Sequence, residues 1–74
     1  MNESQFNDVL KLESNNSDLP IRSYVLFEGD KRITEVYKDS IKSVSNGMLI
    51  YIPGTSLSPA SIDLSKITRV ITRQ

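Results

Sequence analysis

Asn46-Gly47 constrains this chain more than any other pair of residues. A two-residue type I′ turn needs positive φ at both central positions, and Asn followed by Gly tolerates that best. The pair therefore joins residues 40–45 to residues 48–52 as a β-hairpin. The run Met48-Leu49-Ile50-Tyr51-Ile52 has no polar face, so it is expected to be the central and most buried strand. A chain committed to one such hairpin must build the rest of a sheet around it.

The flanking sequence supplies that sheet. From Ile21 onward, side chains alternate and β-branched and aromatic residues become frequent. A first strand is expected over 21–27, with Ile21, Ser23, Val25 and Phe27 on one face and Tyr24 and Leu26 on the other. Gly29-Asp30 suits a type II′ turn, where glycine takes the first central position. A second strand over 31–38, with Ile33, Val36 and Tyr37, fits an edge or strongly bent strand. Residues 53–59 form a loop of turn formers between Pro53 and Pro59. Residues 60–64 alternate again, burying Ile62 and Leu64, and a 3₁₀ turn near 64–67 precedes a last strand over 67–72.

Only residues 3–14 carry a helical period, through Phe6, Val9, Leu10 and, one place off the stripe, Leu12. Asn2 or Ser4 can supply the N-cap oxygen, and Glu3 and Asp8 lie toward the positive end of the helix dipole. The polar stretch from Glu13 to Asp18, followed by Pro20, makes 14–20 a connector. The expected fold is mostly β (α+β): one domain over 1–74, with an N-terminal helix and about five short antiparallel strands. These strands make a strongly bent sheet or a small barrel of the SH3 or Sm-like type. An open antiparallel sheet with the helix across one face satisfies the same pattern.

Composition narrows the function. The 74 residues contain neither cysteine nor histidine. Disulfides are thereby impossible, and a zinc site would have to be built from carboxylates alone. Neither an imidazole base nor a thiolate nucleophile exists. The carboxylates Glu28, Asp30, Glu35, Asp39 and Asp63 are expected on the solvated surface. We therefore expect no enzyme and no cofactor. Nine Lys and Arg balance nine Asp and Glu, leaving no global charge to attract a polyanion. No apolar run is long enough to cross a bilayer, and the first residues carry no leader pattern, so a cytoplasmic setting is expected. Small domains without disulfides or metals commonly self-associate, and a homo-oligomer is expected on that ground.

Two surfaces remain for binding. Tyr37 and Tyr51 have rings suited to an interface, and Leu57 stands alone among polar neighbours in the 53–59 loop. They are the candidates for contact with a protein partner, which would make the chain a small regulator, inhibitor or adaptor. Lys66, Arg69 and Arg73 form a basic set with only Asp63 nearby in sequence. Lys31, Arg32, Lys38 and Lys42 are interleaved with acids and are expected to form cross-strand ion pairs.

The layout offers an alternative. A helix, then Pro20 through Asp30, then strands, then Ile62 through Val70, resembles the bacterial Sm-like RNA chaperones in outline over most of the chain. That family carries a glycine in its second strand, whereas residues 31–37 hold none. Its RNA-recognising Tyr-Lys-His segment would fall on Leu64-Ser65-Lys66, which has only a lysine, Lys66, in common with it. The resemblance implies an oligomeric ring that binds single-stranded RNA through Lys66, Arg69 and Arg73.

Overall fold

In the computed structural model, which describes residues 1–12 and 20–74, the helical period becomes α1 (Glu3–Lys11). Asn2 is its N-cap. Its side-chain oxygen accepts from the Gln5 amide at 2.8 Å, and the Gln5 side chain accepts from the Asn2 amide at 2.9 Å. This reciprocal box satisfies two amides at once, which Ser4 could not do without shortening the helix. The helix is shorter than expected. Leu12 is already extended as the C-cap and half exposed, because six positions beyond Phe6 it falls off the stripe that faces the core. The end of the expected helix and nearly all of the 14–20 connector lie outside the described residues.

Six strands follow: β1 (Ser23–Glu28), β2 (Lys31–Tyr37), β3 (Ile41–Ser45), β4 (Met48–Tyr51), β5 (Ala60–Asp63) and β6 (Arg69–Arg73). They form two three-stranded antiparallel sheets, ordered β2-β1-β6 and β3-β4-β5. The chain turns from one sheet into the other between β2 and β3, through a 3₁₀ turn at Lys38–Ser40. The mostly β, α+β expectation holds. The strands number six, one for each segment the alternation outlines, against the expected total of about five. Among the described residues no barrel is closed.

Turn chemistry is as the sequence dictates. Asn46 and Gly47 both take positive φ, at 54° and 73°, as a type I′ turn requires. At the other hairpin only Gly29 is positive, at 60°, which matches type II′. A second 3₁₀ turn, Leu64–Lys66, separates β5 from β6 and is capped by Asp63, whose carboxylate accepts from the Ser65 amide. The last strand starts two residues later than expected. Ile67 is instead buried in the core behind that turn, and the Thr68 hydroxyl accepts from the Gly29 amide at 2.8 Å.

The core lies between the sheets and α1. Tyr24, Leu26 and Val36 come from the first sheet, Leu49 and Tyr51 from the second, and Phe6, Ile21, Leu64 and Ile67 close the ends. β4 is central in its sheet, but β1 is the more buried strand. Only alternate residues of β4, Leu49 and Tyr51, are buried, whereas Ser23 through Leu26 are buried on both faces of β1. Ile62 packs against the core while remaining half-buried, because β5 is an edge. The helix is tied to the hairpin it covers: the Glu3 carboxylate accepts from the Gly47 amide at 2.6 Å, and the Met1 amine donates to the carbonyls of Leu64 and Ile67.

Candidate functional site

The first sheet has one face on the core and one toward solvent, and register decides which residues share the outer face. β1 pairs Ser23 with Tyr37 and Arg73, Val25 with Glu35 and Ile71, and Phe27 with Arg32 and Arg69. Since alternate residues of a strand share a face, these nine side chains form three rows of three on the solvent side. A bulge between Leu26 and Phe27 on the β2 side keeps Arg32 in that set.

The middle column of this face is covered although it faces away from the core. Ser23 is 1% exposed and Val25 is buried outside the core cluster. Ser23 donates its hydroxyl hydrogen to Glu35 at 2.5 Å. Arg32 and Arg73 each approach the same carboxylate at 3.4 Å. Arg22, Tyr37 and Gln74 complete the wall of a polar pit of about 190 Å³ with Ser23 and Glu35 inside it. One row further, the Arg69 guanidinium lies 4.4 Å from the centre of the Phe27 ring, a cation–π contact.

Electrostatics follow from that arrangement. The Ser23 hydroxyl, followed by Arg73, Arg32 and Arg22, holds the Glu35 carboxyl below its ordinary range against a smaller opposing effect of desolvation. Asp63 is likewise lowered, first by the Ser65 hydroxyl and amide. A carboxyl whose folded pKa lies below its unfolded value stabilises the fold above the unfolded pKa, near 4.3 for Glu, and that contribution is lost as pH falls through the folded value. The melting temperature is therefore expected to fall on acidification below about pH 5. Glu35→Gln should flatten part of that acid limb. A limb of unchanged steepness in thermal melts from pH 6 to 3 would show that Glu35 contributes nothing to it.

The structure brings together residues that sequence reasoning kept apart. Tyr37, 47% exposed, and Arg73 stand on either side of Ser23, although one was a protein-contact candidate and the other an anion-binding one. Arg69 shares their face. Lys66 does not, since it sits in the 3₁₀ turn beside Asp63. Tyr51 is only 8% exposed and belongs to the core. Leu57 is 98% exposed in the loop between β4 and β5, where the Ser56 amide donates to the Pro53 carbonyl and the Ser58 amide to the Ser56 hydroxyl. Sequence reasoning missed Ser23, Phe27 and Arg32 as members of a common face with Arg69 and Arg73. Strand alternation places Ser23 and Phe27 on one side, but only register puts arginines from two other strands beside them.

A second concavity lies where α1 meets the hairpin: an open groove of about 770 Å³ lined by residues that include Met1, Glu3, Gly47, Asp63 and Leu64. Its carboxylates are already engaged, Glu3 with Gly47 and Asp63 with Ser65. Among the described residues, no three His, Cys, Asp or Glu side chains gather as a metal site, and no helix is long and apolar enough to cross a membrane.

These features define a class, a small α+β domain with an arginine-rich outer sheet face and one solvent-exposed apolar loop tip. In comparisons with known proteins, the chain matches no family model, no curated protein and no solved structure at a significant level.

Proposed function

We propose that the chain is a non-catalytic interaction domain, a cytoplasmic regulator, inhibitor or adaptor that binds another protein through its exposed loop and sheet edges. Leu57 carries this reading. A leucine side chain left 98% in solvent gains about 1.5–3 kcal/mol when a partner buries it. The turn at Ser56 and Ser58 holds its backbone beforehand, which reduces the ordering cost of binding.

Leu57→Asp is the test. Because the side chain touches little of its own domain, the melting temperature is expected to stay within about 0.5 kcal/mol equivalent of the parent. Capture of the partner from host extract should fall by at least about tenfold, the loss expected for one buried apolar anchor. Equal capture by parent and variant would overturn the loop as a contact.

A second reading has its own support, since Arg32, Arg69 and Arg73 share one face with Phe27 and Tyr37. Cations beside aromatic rings hold phosphates and stack bases, so the alternative is a self-associating domain that binds single-stranded RNA. Its signature is affinity that falls steeply with salt and weakens on Arg69→Ala or Arg73→Ala. Native mass by light scattering, read with the 260 to 280 nm absorbance ratio, separates the two. A ring-sized particle carrying nucleic acid supports the second, and a small particle free of it supports the first.

A further inference from the structure

β6 is the edge of its sheet. It pairs with β1 from Ser23↔Arg73 to Phe27↔Arg69, and among the described residues no strand pairs with its other side. An open edge offers a row of backbone donors and acceptors to an added strand, and proteins usually blunt such edges with short strands, edge charges, proline or bulges, so that a charged edge favours a strand of opposite charge. β6, Arg-Val-Ile-Thr-Arg, has no proline, and no bulge interrupts its pairing with β1. Its charges point outward, and Ile71 between them is 45% exposed.

We propose that β6 accepts an extended acidic segment of a partner protein as a fourth strand of this sheet, with carboxylates opposite Arg69 and Arg73 and an apolar residue opposite Ile71. The proposal rests on the interaction-domain reading and names the chemistry of the partner. Charge complementarity selects the occupant. Both guanidiniums are positioned from the sheet side, Arg69 over the Phe27 ring and Arg73 by Glu35, while Arg73 keeps 60% of its side chain exposed. Ordering that is already complete before binding does not have to be spent at binding. A second copy is the poorer occupant of this edge. An antiparallel β6–β6 pair centred on Ile71 sets Arg69 against Arg73 of the other chain, and like charges directly opposite one another destabilise a sheet. The edge of β5 in a second copy offers a single carboxylate, Asp63, to two arginines.

The probe is a capped, fluorescein-labelled nine-residue peptide in which Asp, Val and Asp occupy alternate positions among threonines, read by anisotropy. Expected results are saturable binding, a loss of about tenfold when both Asp are changed to Asn, and a similar loss in the Arg69→Gln/Arg73→Gln variant. Amide exchange within Arg69–Arg73 should slow when the peptide binds. Absence of binding, equal affinity for a peptide with the two Asp made adjacent, or binding without protection of these amides each overturns the added strand. Tighter binding of oligouridylate to the same surface assigns it to nucleic acid instead, and β6 amides already protected in a free dimer assign it to a second copy. Leu57→Asp separates the two proposals: peptide failure alongside Leu57-dependent capture removes only the β6 assignment, and failure of both removes the interaction reading itself.

Discussion

Phe6→Ala is expected to destabilise the protein by about 3–5 kcal/mol, the range for removing a fully buried aromatic ring. Phe6 is 0% exposed and is the only buried residue of α1, so this one side chain carries most of the helix's hold on the core. A nine-residue helix is marginal by itself. Its capping box is local and exposed, and the part-buried Glu3 to Gly47 hydrogen bond would outlast the ring only if the helix stayed docked. For 74 residues, a total stability of about 4–11 kcal/mol is typical, so the loss consumes a large share of it. Urea unfolding should show a midpoint displaced by about a quarter or more of its parent value. A displacement equivalent to less than about 1 kcal/mol would mean that the sheets stand without the helix.

The second large effect comes in two opposite signs at one position. Tyr24, near the start of β1, is 0% exposed, and its hydroxyl finds no hydrogen-bond partner among the described residues. Burial pushes its pKa up, as expected for a phenol whose ionised form would sit in an apolar core. Removing the ring by Tyr24→Ala should cost about 3–5 kcal/mol, as for other buried aromatics. Removing only the oxygen should do the reverse. A buried polar group without a partner costs about 1–3 kcal/mol, so Tyr24→Phe is expected to raise stability by about 1 kcal/mol. In a domain of this size that corresponds to a melting temperature higher by roughly 4–8 °C. A Tyr24→Phe variant that melts lower than the parent would show that the hydroxyl is satisfied in the folded protein.

Much of the local structure was legible from residue types. Asn46-Gly47 and Gly29-Asp30 specify their turn types because positive φ is a steric property of the residues themselves. The end of α1 and the corner between β2 and β3 were less so. Leu12 could extend a helical pattern in sequence, yet it falls off the face that α1 buries. The corner between β2 and β3 leaves no apolar signature, since Lys38, Asp39 and Ser40 suit a strand edge as well as a 3₁₀ turn.

The candidate site lay further from view. Lys66, Arg69 and Arg73 form one basic set in sequence, yet Lys66 stands in a turn while Arg73 pairs with Glu35, 38 positions away. Tyr51, for its ring, and Leu57, for its isolation in a polar loop, were both contact candidates, and their exposures are 8% and 98%. Strand pairing makes that difference: Tyr51 stands between Ile41 and Ala60 on the inner face of a central strand, whereas Leu57, in the loop beyond it, has no strand neighbour among the described residues.

By itself, then, the sequence determined turns, caps, strand periodicity and the α+β class, because these depend on sterics and hydrogen bonds within a few residues. Tertiary structure alone decided the outer-face grid, the open edge of β6 and which apolar side chains stay in solvent. Each of these depends on the register between strands distant in the chain, and register is set by the packing of the whole core rather than by any one segment.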